Sequence, residues 1–400
     1  MIRDIKKKNP ILWLNSAHLV NDIYTGILNP IMPFIAVKLG ISMAFATIIL
    51  SMSHIFSSLL QPLFGFFADK IVKRAFIFWG LICTSIFISI APASHEVFLL
   101  ILCIILGSLG SSFFHPQALG FVVRFAEKDL AKTMGIFIAM GSIGFSIGPL
   151  LSAYVAQYLG LSHMPILCIP GLLTAFLMFS FVPKIYSNSS EKPNLKFTKA
   201  FKDILTNKKL QILIIIAILK TLVTTSCLIL VPFLLKNLGY QPFYIGAVLF
   251  CFILAGGVGS ILSRNFEKKA GTANIFYISM LSTFPLMGLF ALTYKTLPFW
   301  AVSIFVIIGF VTMLAQPVTM VMAQSVLPQY KSIMGGFING FAWGIVAIFM
   351  SAIGFIAQTK GIIPVLIVVS IIPVIFSKMV KYLFVEEVSL KSVSYTHLRA

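Results

Sequence analysis

Apolar stretches about as long as a bilayer is thick follow one another along this 400-residue chain. We place them at 11–37, 44–67, 74–93, 97–123, 133–158, 163–182, 210–235, 242–262, 272–293, 298–322, 333–357 and 361–384. A helix needs about 20 mostly apolar residues to cross a membrane. The pattern therefore predicts an all-α integral membrane protein with about twelve transmembrane helices. Composition agrees: 10% of residues are charged, against roughly 25% in a soluble domain. The first stretch follows a basic start and is too long for the apolar core of a cleavable signal, so it reads as a true span.

The formal net charge of +19 raises the question of nucleic acid. Its distribution answers it. Of 30 Lys and Arg residues, 25 fall in the amino terminus, the even-to-odd connections and the carboxyl terminus. Lys38, Lys236, Lys295 and Lys360 lie on the other side, and Lys220 lies inside a span. This is the positive-inside pattern and predicts both termini in the cytoplasm. The basic residues then meet anionic lipid headgroups, and no nucleic-acid partner is expected. The cysteines Cys83, Cys103, Cys168, Cys227 and Cys251 all fall within spans and lack metal-ligand spacing. They read as small buried hydrophobes.

A polar stretch from about Lys184 to Lys209 divides six spans from six. We expect an amino-terminal half at 1–183, a cytoplasmic linker at 184–209 and a carboxyl-terminal half at 210–386. A short amphipathic helix is expected near Phe197 to Leu205. Landmarks recur between the halves. Pro33-Phe34 before Leu39-Gly40 matches Pro232-Phe233 before Leu238-Gly239, Asp69-Lys70 matches Glu267-Lys268, Pro116 matches Pro317, and Met134-Gly135 matches Met334-Gly335. A parallel repeat of six spans is the internal symmetry of transporters that rock two halves about a midplane site. Residues 387–400 form a tail whose last part, about Ser392 to Ala400, resembles translated adapter sequence and is set aside.

Among eleven Asp and Glu residues, Asp22 is the one inside a long apolar segment. A carboxylate at bilayer depth costs several kcal/mol unless paired, hydrated or protonated, so it marks function. Asn15, His18, Asp22, Thr25 and Asn29 recur at spacings of three and four, hence on one helical face. Similar stripes are Ser51, His54, Ser58, Gln61 and Gly65; Lys220, Thr224 and Cys227; and Thr312, Gln316 and Thr319. Spans one, four, seven and ten then line a central cavity. At the repeat offset Asp22 corresponds to Thr221, so Lys220 is expected within reach of Asp22 across that cavity. Lys220 either neutralises Asp22 or receives an anionic group of the cargo. Burial favours a neutral carboxyl and a nearby cation favours the charged one, so an Asp that alternates between settings can carry a proton. A hydrogen-bonded structural Asp is the plainer alternative. His18, His54 and His115 change charge near neutral pH and suit proton relay or cargo binding.

The turn after the second span reads Gly65, Asp69, Lys70, Val72, Lys73 and Arg74 at the spacing of the major facilitator signature loop, with Val72 where the family has a second Gly. Gly141, Gly144, Gly148 and Pro149 in the fifth span are similar to the Gly-Pro motif of that superfamily's proton-driven drug exporters. His18, Asn21 and Asp22, the run Ser57 to Gly65, and Gly110 to Pro116 resemble its fosmidomycin resistance branch. Gln117 stands where that branch often carries Glu. The likeness spans about 1–386, and its specific motifs lie in the first half.

The resemblance implies a proton-coupled exporter of a small drug or organic anion, working by alternating access in a bacterial inner membrane as a monomer. Uptake of an organic anion or sugar on the same fold is the second reading, since fold alone does not fix direction. No metalloprotease, paired-Asp or nucleotide motif is present, which disfavours a membrane enzyme. No cofactor or metal is expected. Proton coupling falls to Asp22, His18 and His115. The expected cavity residues are Asn15, Asn21, Thr25, His54, Gln61, Gln117, Lys220, Thr224 and Gln316. The expected latch and gate residues are Gly65, Asp69, Lys70, Lys73, Arg74, Gly144, Gly148 and Pro149.

Overall fold

The computed structural model describes residues 9–61, 63–64, 75–126, 130–183, 197–328, 334 and 336–384. Every regular element among them is helical, as lipid requires of an open chain that must satisfy its own backbone. Among the described residues, ten helices are long and apolar enough to cross a membrane, and Met43–Leu59 is a shorter apolar helix.

The first expected span is two helices rather than one. α1 covers Pro10–Gly26 and α2 covers Leu28–Leu39. Pro30 has no N–H to offer the carbonyl four residues back, so the ladder is interrupted at the Gly26–Ile27 junction. The second begins as α3, Met43–His54, and continues as a π-helical turn, Ile55–Leu59. α4 (Ala75–Ile90), α5 (Val97–Phe125), α6 (Leu130–Tyr158) and α7 (Cys168–Phe181) follow. The linker helix α8 forms at Phe197–Thr206. Its Ile204 is buried, its Phe201 packs 5.5 Å from Phe337, and Lys199 and Lys202 are exposed.

The remaining spans are α9 (Lys208–Asn237), α10 (Pro242–Ala270), the pair α11 (Thr272–Leu281) and α12 (Thr283–Thr293), the pair α13 (Pro298–Leu314) and α14 (Gln316–Val326), α15 (Ala342–Lys360) and α16 (Ile362–Phe376). A second π-helical segment, Gly336–Phe341, leads into α15. The break between α13 and α14 has a local cause. Pro317 cannot bond the Met313 carbonyl, which instead accepts from Ser260 Oγ at 3.2 Å.

Burial separates the helices by position. The apolar window of α9 is 83% buried, against 22–50% in the other nine long helices, so α9 is the innermost of those ten. Large apolar side chains such as Phe98, Leu292 and Phe299 point outward, where lipid takes the place of a core.

Glycines let neighbouring backbones touch. A Cβ at Gly144 or Gly148 would overlap the carbonyl of Leu19 or Ile23, so α6 lies directly on α1. Gly80 and Gly110 join α4 to α5 in the same way, and a Cβ at Gly246 of α10 would crowd Pro149 and Ala153 of α6.

Two glutamines link helices before residue 184 to helices after residue 196. Gln157 Oε1, at the end of α6, accepts from Phe243 N in the first turn of α10 at 2.9 Å. Gln358 Oε1, near the end of α15, accepts from Ala44 N in the first turn of α3 at 2.8 Å. Each glutamine thus satisfies a helix-terminal N–H that has no partner within its own helix.

Candidate functional site

α1 and α5 bring three titratable side chains together. His18 and Asp22 are one helical turn apart, with His18 Nε2 3.2 Å from Asp22 Oδ2. His115, reached from α5, places Nε2 3.0 Å from Asp22 Oδ1. Both rings are held from behind. His18 Nδ1 lies 2.7 Å from the Phe137 carbonyl of α6, and its ring stacks on Phe137 at 4.0 Å. His115 Nδ1 lies 2.9 Å from the Ser111 carbonyl. Asn21 Nδ2 donates to Asp22 Oδ1 at 3.1 Å and reaches Ser111 Oγ at 3.4 Å. The three titratable groups approach within 4.8 Å of one another, and each polar contact among them has hydrogen-bond length.

Gly141 completes the seat. A Cβ there would sit 2.7 Å from Asp22 Oδ2 and overlap the His18 ring. The small-residue stripe of α6 therefore does two things: Gly144 and Gly148 pack on the α1 backbone, and Gly141 makes room for the cluster. The Pro149 ring lies against Gly26 of α1, and its carbonyl is what a Cβ at Gly246 of α10 would meet.

The second polar centre is separate. Lys220 of α9 is 2% exposed, and its Nζ donates to Gln316 Oε1 at 3.2 Å. Thr224 Oγ1 donates to the Lys220 carbonyl. The expected contact between Asp22 and Lys220 is not formed: Asp22 is engaged by histidines and Asn21, and Lys220 by Gln316. The repeat offset predicts depth in the membrane, but helix rotation decides which neighbour a side chain meets.

Other expected site residues take mixed places. Thr25 Oγ1 donates to the Asp22 carbonyl. Asn15 is buried, and its Oδ1 has no hydrogen-bond partner among the described residues. His54 lines a small cavity of about 20 Å³ with Thr25, Ser53, Ser57, Ser108 and Ser111, room for about one water. The Trp343 ring lies 5.5 Å from His54. Gln61 folds back onto its own helix, donating to the Ser57 carbonyl at 2.8 Å. Gln117 is turned toward α4, where its Oε1 accepts from Ile77 N at 2.8 Å. That amide ties two helices of the amino-terminal region together. The latch residues Gly65, Asp69, Lys70, Lys73 and Arg74 lie outside the described residues.

Sequence reasoning did not single out Ser111, Gly141 or the Phe137 carbonyl as parts of the site. Ser111 and Gly141 stand within the motifs already noted, but a backbone carbonyl leaves no trace in the residue type.

A bundle of membrane-length helices with a partly buried carboxylate between imidazoles and a separate buried lysine fits a membrane transporter. The Major Facilitator Superfamily model matches residues 14–384, and the chain belongs to that family. It is 23% identical over 376 residues to the uncharacterized MFS-type transporter YfnC of Bacillus subtilis (strain 168), covering 91% of this chain and 90% of that one. It is 25% identical over 359 residues to the fosmidomycin resistance protein of Escherichia coli (strain K12), covering 87% and 86%. The solved structure of the nucleoside transporter NupG superposes with a TM-score of 0.73 at 15% identity over 94% of this chain and 99% of that one. That last likeness concerns the fold.

Proposed function

We propose that this transporter exports a small drug or organic anion of the fosmidomycin type in exchange for protons. The observation that carries the reading is the carboxylate of Asp22 held between His18 and His115 inside the bundle. Three groups that exchange protons, sited where a soluble protein would have core, serve a protein whose work is coupled to a proton gradient. Similarity to the fosmidomycin resistance protein of Escherichia coli supports export and supports that cargo class.

In this reading the helices before residue 184 and after residue 209 form two six-helix halves that rock about the mid-membrane site. Asp22 with its two histidines is the proton-coupling centre. Lys220, with Gln316 and Thr224, receives the anionic group of the cargo, because a buried ammonium with a neutral partner favours an incoming anion. The basic residues place both termini in the cytoplasm of a bacterium, and the loop at Asp69 acts as a latch at that face. The protein works as a monomer, without a cofactor. Unit charge moved through 100 mV supplies about 2.3 kcal/mol. Uptake of an organic anion on the same fold is the second reading, favoured by Lys220 alone.

The test is fosmidomycin accumulation in drug-sensitive bacteria expressing the chain, with and without a protonophore, beside Asp22→Asn. Export predicts lowered accumulation that the protonophore and the substitution each abolish. Unchanged accumulation with the protein present in the membrane removes fosmidomycin as cargo. Raised accumulation supports uptake.

A further inference from the structure

The hydrogen bonds around Asp22 fix how many protons the site holds. A backbone carbonyl can only accept. His18 Nδ1 is 2.7 Å from the Phe137 carbonyl, so that nitrogen carries a proton. His115 Nδ1 is 2.9 Å from the Ser111 carbonyl and 3.3 Å from Ser111 Oγ. The shorter contact is to the carbonyl, which only accepts, so this nitrogen carries a proton too and the hydroxyl oxygen is a second acceptor beside it. A neutral imidazole has one N–H, and in both rings it is spent on the backbone.

Each Nε2 then faces an oxygen of Asp22, at 3.2 Å for His18 and 3.0 Å for His115. With neutral rings and an ionised carboxylate, both contacts would set lone pair against lone pair. Each contact therefore needs its own proton. Either both rings are imidazolium beside a carboxylate, or one ring is imidazolium and the carboxyl carries the second proton. Both arrangements hold two protons more than the empty set. Asn21 does not change the count, since its Nδ2 only adds a donor to Asp22 Oδ1.

We infer that the His18–Asp22–His115 cluster, in the arrangement seen here, is a two-proton site that takes up or releases two protons as it is made and broken. Loaded, the three groups carry a net charge of +1, and empty they carry −1. The sign of the cluster's own charge thus reverses within the cycle. For the transport cycle this rests on the proton-coupled reading above; the count itself rests on the geometry.

Other titratable groups on the surrounding helices do not enter the tally. His54 of α3, Lys38 of α2, Tyr24 of α1, Cys83 of α4, Cys103 and Arg124 of α5, Tyr154 and Tyr158 of α6 and Cys168 of α7 make no hydrogen bond or ion pair with the three groups among the described residues.

The experiment is nitrogen NMR of the full chain in lipid nanodiscs, labelled with ¹⁵N-histidine and carboxyl-¹³C aspartate, titrated in pH with a chelator present. Single His→Gln variants assign the six histidines. Nδ1 of His18 and His115 should stay protonated throughout. The first uptake, before stronger acid adds a third proton and breaks the contacts, should sum to two over both Nε2 atoms and the Asp22 carboxyl. Asp22→Asn sharpens the test. An amide offers one N–H to one ring and accepts from the other, so the gain should drop from two to one. A wild-type gain of one, or a ring whose only proton sits on Nε2, overturns the proposal. An unchanged gain in a folded Asp22→Asn protein overturns it as well. These outcomes are independent of cargo: failed drug export with a count of two removes the exporter reading, and export with a count of one removes this one.

Discussion

Asp22 and Lys220 are the two ionisable charges carried inside spans of opposite ends of the chain, and they are accommodated in opposite ways. Asp22 is surrounded by donors from two helices: two imidazoles and an asparagine amide. Lys220 is buried more completely, yet among the described residues its ammonium donates to one neutral amide, Gln316. A buried charge that is fully hydrogen-bonded is at rest, whereas one with a neutral partner retains most of its desolvation cost. The comparison teaches a division of labour: one centre is built around its own protons, and the other is left short of an anion.

The largest effect should come from Asp22→Asn, which removes the group that both histidines address. Gradient-driven drug export in everted vesicles should fall to the level of empty vesicles. Cargo binding measured without a gradient should persist, and its loss would mean that the two centres are one site. The exchanged pair Asp22→Lys/Lys220→Asp comes next. Because the two charges do not touch in this structure, the double variant should be as inactive as the worse single one. Recovery of transport would show that they meet elsewhere in the cycle.

Lys220→Met should act in two directions at once. Binding of an anionic cargo should weaken about 10- to 100-fold, as a charge-assisted hydrogen bond contributes about 1.5–3 kcal/mol. Thermal stability should rise, because a desolvated charge is replaced by an apolar chain of similar length. A fall in melting temperature would mean that Lys220 is paired within the resting protein. The smallest effects concern glycines on the Asp22 side. Gly141→Ala should cost about 1–3 kcal/mol through overpacking against Asp22 and His18. Gly120→Ala, where a Cβ meets open space, should be neutral or slightly stabilising. Equal effects at the two positions would break the claim that Gly141 shapes the seat.

The helical class of the fold was legible because lipid imposes it on any chain with such stretches. The breaks were less so: the 11–37 stretch reads as continuous, and Pro30 and Pro317 mark interruptions that periodicity averages over. Within the site, His18 and Asp22 were legible as an i, i+4 pair on one face. His115 joined them through motif resemblance, since no local spacing reports a contact across 93 residues. Gln117 reads as a cavity residue because residue type says that a buried amide needs partners, not that Ile77 N supplies one of them. Lys220 was assigned to Asp22 by the repeat, which carries no information on how far each helix turns about its axis.

The two glutamine bridges have a consequence for the balance of conformations. Gln157 to Phe243 N and Gln358 to Ala44 N are both neutral hydrogen bonds, each contributing about 1 kcal/mol net. Together they weight the population against separation of these helix ends by about 2 kcal/mol, roughly 30-fold. That bias contains no ionic group, so neither salt nor acidity should tune it. It is a constant tilt of the equilibrium, small enough for one bound proton or cargo molecule to overturn and steady enough to return the helices when either leaves.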